Sequence, residues 1–283
     1  MKTLISAADL IQQLQCNPVP VVLDCGFELA DPPAGERAWR EGHLPGALRL
    51  DLERDLAGAK IDANGRFRGR HPLPERAAFA RRIGEIGIAP ASAVVCYDAQ
   101  GGVYAARAWW MLRWLGHANV TVLDGGVAAW RQAGGTLATD TGAPRSAPPY
   151  PSQAPAMATI DAADLQERLG RTPLIDARAG ERFRGEVEPL DKAAGHIPGA
   201  RNRFFKDNLA PDGRFKSAAA LRAEWQPLLA GHEAADVVQQ CGSGVTACHN
   251  LLALAHAGLG DSVLYPGSWS EWSADPARPQ AKG

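Results

Sequence analysis

A chain of 283 residues, 46% hydrophobic and 22% charged, is long enough to fill the cores of two domains. Its formal charge of -1 at pH 7 leaves no basic surplus for nucleic acid or an anionic membrane surface. No apolar run approaches membrane-spanning length and the first residues hold no long apolar leader core; the five cysteines show no close pairing, which points to reduced thiols and a cytoplasmic protein.

In chain order, Val21-Val22-Leu23-Asp24 reads as a short buried strand, followed by the turn Gly42-His43-Leu44-Pro45-Gly46-Ala47. Ala93 to Tyr97 is a strand, Ala105 to Trp114 a helix and Val120 to Leu123 a strand, an alternation that predicts a parallel sheet covered by helices on both faces. Residues 139–158 are rich in Pro, Ala and Ser and read as a semi-extended linker. The pattern then returns. Pro173-Leu174-Ile175-Asp176 echoes the first strand, and Gly195-His196-Ile197-Pro198-Gly199-Ala200 repeats the turn. Gly102-Val103, Gly116, Gly125 and Trp130 recur at the same spacing as Gly244-Val245, Gly258, Gly267 and Trp272. The chain is therefore an α/β unit in two copies, an N-terminal domain over 1–138 and a C-terminal domain over 159–283. Because His43 and His196 sit in both copies of the turn, they read as structural, and Trp269 and Trp272 read as packing residues.

One stretch carries chemistry. Cys241-Gly242-Ser243-Gly244-Val245-Thr246-Ala247 follows the apolar Val237-Val238 and precedes a helical pattern placing Val245, Cys248, Leu252, Ala255 and Leu259 on one face, with Gly258 as its stop. Unpaired amides and a helix dipole at such a turn favour thiolate over thiol. Gly242 and Gly244 let the backbone curl, so that the amides of residues 242–246 form a cradle for a charged sulfur. A buried structural cysteine is the plainer reading, but the strand, Cys-Gly-x-Gly and helix context favours a nucleophile. Zinc needs further ligands at workable spacing, and none exist around Cys248 and His249. A cysteine phosphatase needs an arginine where Ala247 stands, and a papain-like hydrolase needs a signature that is absent. In the first copy the aligned strand puts Asp98 at the nucleophile position and Cys96 two residues early; that copy is expected to be catalytically silent and to form a wall of the cleft.

The seven-residue string resembles the active-site loop of the 3-mercaptopyruvate sulfurtransferases within the rhodanese superfamily. That resemblance implies two tandem rhodanese-like domains and transfer of sulfane sulfur through a Cys241 persulfide. Pyruvate is released, and the acceptor is a small thiol, a thioredoxin-like dithiol or cyanide. No metal or organic cofactor is implied. It places a substrate-binding arginine at Arg182, in Arg182-Phe183-Arg184-Gly185, while the second arginine of the family falls on Asp191; Arg184 and Lys192 are the nearby substitutes. It also implies a proton-moving set of Ser243, His71 and Glu53. Thiosulfate sulfurtransferases carry basic residues where this chain has Gly242 and Ser243, and the uncharged loop argues against that dianion as donor. A thiosulfate sulfurtransferase is the first alternative, and a non-catalytic sulfur carrier or interaction module the second.

Overall fold

The computed structural model describes residues 2–140, 147–151 and 153–283; positions 141–146 and 152 of the expected linker lie outside the described residues. The chain divides into two compact units, one of Met1–Ala57, Pro74–Ala156 and Pro211–Arg214, the other of Gly58–Leu73, Met157–Ala210 and Phe215–Gly283. Each unit holds one all-parallel sheet.

In the first unit, β1 (Leu4–Ile5), β2 (Val21–Asp24), β3 (Leu48–Arg49), β4 (Val94–Tyr97) and β5 (Val120–Leu123) lie in the order β1-β5-β4-β2-β3. The central β4 is buried at all four residues, which is why it reads as an unbroken apolar run rather than an alternating one. The helix Val103–Trp114 joins β4 to β5. The second unit repeats the plan with β6 (Leu174–Asp176), β7 (Ala200–Asn202), β8 (Val238–Gln240) and β9 (Val263–Leu264), in the order β7-β6-β8-β9. The duplication extends to register, since Asp24 pairs with Tyr97 at the end of β2 and β4 as Asp176 pairs with Gln240 at the end of β6 and β8.

The repeated turns confirm their structural reading. His43 stacks on Trp39 at 4.5 Å and its ring nitrogens bond the carbonyls of Trp39 and Asp140; His196 stacks on Phe183 at 3.9 Å and bonds the Phe183 carbonyl. Trp269 and Trp272 are fully buried, their indole N–H groups donating to the carbonyls of Ala193 and Pro279. They pack the second core with Leu174, Ile197, Val238 and Tyr265.

One expectation is corrected. The helix after the cysteine loop, Thr246–His256, does not bury a single face: every residue from Ala247 to Leu254 is buried. Its polar side of His249 and Asn250 is covered because Asn208 bonds both side chains and the Asn250 amide donates to the Arg203 carbonyl. Residues 58–73 group with the second unit. They fold back through an Ile61 to Phe67 bridge and a turn capped by the Asp62 carboxylate, then pack so closely that a side chain on Gly69, at φ 101°, would press the Gly267 carbonyl oxygen at 2.7 Å.

Candidate active site

Cys241 stands where β8 ends, 2% exposed, at the carboxyl edge where parallel sheets place their ligands. Its backbone is held from both sides. The Cys241 N–H donates to Ser268 Oγ at 3.1 Å, and the Cys241 and Gly242 carbonyls accept from Trp269 and Ser270 N–H at 2.9 Å each. The Gly244 N–H donates to Cys241 Sγ at 3.1 Å. Gly244 has φ 77°, and a Cβ there would collide with the Pro266 carbonyl oxygen, so only glycine allows this amide to turn inward. The helix Thr246–His256 begins just beyond, and the Cys248 thiol is tied to the Gly244 carbonyl at 3.3 Å.

The first unit shows what the same turn does with an acid in place of a thiol. Asp98 follows β4 and is 1% exposed; its Oδ1 accepts the N–H groups of Gln100 and Gly102, and its Oδ2 those of Tyr104 and Ala105, at 2.8–3.0 Å. That is a four-amide anion cradle filled by the protein's own carboxylate. Cys96 lies within β4, fully buried, and burial together with Cys96 pushes the Cys25 thiol well above its ordinary range.

Of the predicted proton-moving set, the structure joins two members. His71 Nδ1 and Ser243 Oγ are 2.9 Å apart, and both residues are buried. Glu53 belongs to the first unit and is exposed, its N–H donating to Asp51 Oδ1 at 2.9 Å. Arg184 is exposed and bonds Glu186 through two hydrogen bonds, which raises its pKa and keeps it engaged at the surface. Arg182 instead reaches the loop: its Nη1 lies 3.6 Å from where a Gly242 Cβ would be. Its Nη2 donates to Glu188 Oε1 at 2.6 Å and Asp191 Oδ2 at 3.2 Å.

Asp191 is therefore no simple vacancy in a pair of arginines. Its side chain is 4% exposed and also bonds Arg70, the residue before His71, which no local motif marks. Arg70 Nη2 would lie 2.8 Å from a Gly242 Cβ. The loop is uncharged in its own residues, yet two guanidiniums stand over it, so loop composition does not measure the charge a donor meets. Nearby, Arg178 clasps Asp176 and Glu188 and lies 5.0 Å above the Trp269 ring.

A family model for the rhodanese-like domain matches residues 6–133 and again 161–275. A Pseudomonas aeruginosa protein named "Probable 3-mercaptopyruvate sulfurtransferase" is 48% identical over 283 residues, spanning 99% of this chain and 98% of the relative. A Mycobacterium tuberculosis protein whose name, SseB, goes with thiosulfate sulfurtransferase is 42% identical over 287 residues, spanning 100% of this chain and 98% of the relative. The solved structure of 3-mercaptopyruvate sulfurtransferase from Leishmania major matches with a TM-score of 0.84 at 30% identity, covering 96% of this chain and 74% of that one. With two family-model matches, a strand-end cysteine cradled by backbone amide and relatives along its whole length, the chain belongs to the rhodanese-like family.

Proposed function

We propose that the chain is a sulfurtransferase that takes sulfur from 3-mercaptopyruvate, holds it as a persulfide on Cys241 and passes it to a thiol acceptor or cyanide. The Cys241 thiolate attacks the substrate sulfur; the S–S bond forms as the C–S bond breaks, and the electron pair goes to the carbon beside the ketone. That carbon must gain a proton and the substrate thiol must lose one, so pyruvate forms with no net proton exchanged with solvent. The acceptor then attacks the outer sulfur. Cyanide leaves as thiocyanate, whereas a dithiol leaves as its disulfide with release of hydrogen sulfide, and the Cys241 thiolate returns in either case.

The observation that carries the donor choice is the 2.9 Å contact between His71 Nδ1 and Ser243 Oγ, two residues from the nucleophile. A thiol donor needs a proton moved from sulfur to carbon, and a hydroxyl paired to an imidazole supplies that path near neutral pH. Thiosulfate gives up its outer sulfur to a thiolate with no proton moving at all. Glu53 is the carboxylate that the resemblance adds to this pair. The two guanidiniums over Gly242 suit either anion and keep thiosulfate as the second reading. The N-terminal domain is silent in this scheme, because Asp98 fills its cradle and Cys96 is sealed in a strand.

Among the described residues no helix is long and apolar enough to cross a membrane. A thiolate that must stay reduced suits the cytoplasm and a thioredoxin-like acceptor. The test is sulfide release from 3-mercaptopyruvate and from thiosulfate, each with a dithiol, alongside Cys241→Ser, Cys96→Ser and Cys248→Ser. Cys241→Ser should lose transfer from both donors while the other two retain most of it, and mass spectrometry should place one added sulfur on Cys241. Faster transfer from thiosulfate than from 3-mercaptopyruvate would sink the donor assignment, and sulfur on another cysteine would sink the site.

A further inference from the structure

The spacing that relates Gly125 and Trp130 to Gly267 and Trp272 sets Ala128 of the first copy against Ser270 of the second. Ala128 is exposed, whereas Ser270 is 3% exposed and ties two distant stretches of the second unit together. Its N–H donates to the Gly242 carbonyl at 2.9 Å. Its Oγ accepts the Arg70 N–H at 3.1 Å and donates to the Gly267 carbonyl at 3.0 Å, so the hydroxyl has one fixed orientation. The two peptides it grips adjoin the acid–base pair. The Gly242 carbonyl belongs to the peptide that enters Ser243, and the Arg70 N–H to the peptide one residue ahead of His71. Ser243 Oγ and His71 Nδ1, 2.9 Å apart and 172 positions apart in sequence, are thus carried by backbones that one serine holds. The segment lies flush against that serine: a Cβ on Gly69 would stand 3.1 Å from Ser270 Oγ.

We propose that Ser270 is a positioning residue for proton transfer: by holding the backbone ahead of Ser243 and ahead of His71, it fixes the distance between Oγ and Nδ1. It touches neither donor nor sulfur. This rests on the reading of Ser243 and His71 as the pair that moves a proton for a thiol donor, and adds the residue that keeps them in register. In the first copy, where Asp98 stands at the nucleophile position, alanine suffices. Ser270→Ala removes the acceptor of a backbone N–H beside a residue that is 3% exposed, and a buried donor left unpaired moves to find another. A displacement of a few tenths of an ångström takes a 2.9 Å contact beyond hydrogen-bond reach, and misplacement on that scale slows a positioned proton transfer.

The experiment is a double-mutant cycle on the first half-reaction. Pyruvate release in a single turnover at saturating 3-mercaptopyruvate is timed for wild type, Ser270→Ala, Ser243→Ala and the double variant, with thermal unfolding to establish that each is folded. Ser270→Ala should slow release by about 10-fold where Ser243 is present, and by less than about twofold where residue 243 is already alanine, since no proton pair is left to position. Gly69→Ala, which presses on the same serine from the facing segment, should show the same dependence on Ser243. A support for the loop as a whole would slow both backgrounds by one factor; that result, or an unchanged rate in folded Ser270→Ala, overturns the proposal. A Ser243→Ala protein that releases pyruvate at the wild-type rate sinks the proton-pair reading and this one with it. A slow Ser243→Ala protein to which Ser270→Ala adds its full factor sinks this one alone.

Discussion

Asp191→Arg should damage both fold and catalysis. The Asp191 side chain is 4% exposed and lies between Arg70 and Arg182, so a guanidinium there meets two like charges at contact distance. Two unit charges 4 Å apart repel by about 4 kcal/mol at an effective dielectric near 20. The side chains of Arg70 and Arg182 are 20% and 18% exposed and can turn toward water, which brings the net cost to about 3 kcal/mol, the low end for breaking a buried pair. At about 2–4 °C per kcal/mol for a chain of this size, the melting temperature should fall by about 6–12 °C. Asp191→Asn separates charge from volume. Burial, reinforced by Glu188, holds the Asp191 carboxyl above its ordinary range against the pull of Arg70 and Arg182, so removing the charge relieves part of its desolvation. That variant should lose about 1 kcal/mol or less. Thermal unfolding of the two variants, with kcat/KM for 3-mercaptopyruvate, decides the matter. An Asp191→Arg protein that melts with wild type and binds the oxoacid more tightly would refute the buried counter-ion.

Ser243→Ala should cut 3-mercaptopyruvate turnover by about 100-fold while leaving thiosulfate use within a few-fold, because only the thiol donor needs a proton moved; equal effects on both would detach Ser243 from proton transfer. Asp98→Ala strands four buried amides and should cost about 3–5 kcal/mol, read as a lower denaturant midpoint. Gly244→Ala forces a left-handed residue against the Pro266 carbonyl, at about 1–2 kcal/mol for the backbone alone, and should slow persulfide formation on Cys241 as the inward amide swings away. His117 is buried in contact with Tyr150, and burial holds its pKa below 6.5 despite hydrogen bonds at Asn119 and Ser92. The unfolded chain therefore binds a proton that the folded one refuses, and stability should fall as pH drops below 6.5, by about 1.4 kcal/mol per unit of depression. Denaturant midpoints from pH 7 to 5 should show that slope, and His117→Gln should flatten it.

The parts of this site legible in sequence are the local ones. A glycine that must take a positive φ, a cysteine at a strand end and a turn repeated in two copies each leave their mark within a few residues, and each proved to sit as read. Burial was harder to read. β8 continues from Val238 through Gln239 and Gln240, both fully buried, where no apolar run announces a strand. The helix after the loop hides His249 and Asn250 because Asn208, far back in the chain, answers them. Periodicity reports which residues prefer the interior, and it is blind to polar groups buried by a distant partner.

Charge at the site was the least legible feature, for the same reason. Gly242 and Ser243 are neutral, and from them alone the loop looks unfit for a dianion. The cations come from Arg70 and Arg182, one of them 121 residues from the Asp191 that orients it. No spacing rule connects those positions; only the return of residues 58–73 to the second unit does. Once both guanidiniums stand over Gly242, charge no longer separates thiosulfate from 3-mercaptopyruvate, since each donor is an anion they could hold. What separates them is the proton. Only 3-mercaptopyruvate must give one up at sulfur and gain one at carbon, and in the proposed scheme the pair of Ser243 with His71, 2.9 Å apart, handles it. In the proposed scheme, donor selectivity therefore rests on the acid–base groups next to the nucleophile, and the arginines set affinity for an anionic end that both donors share.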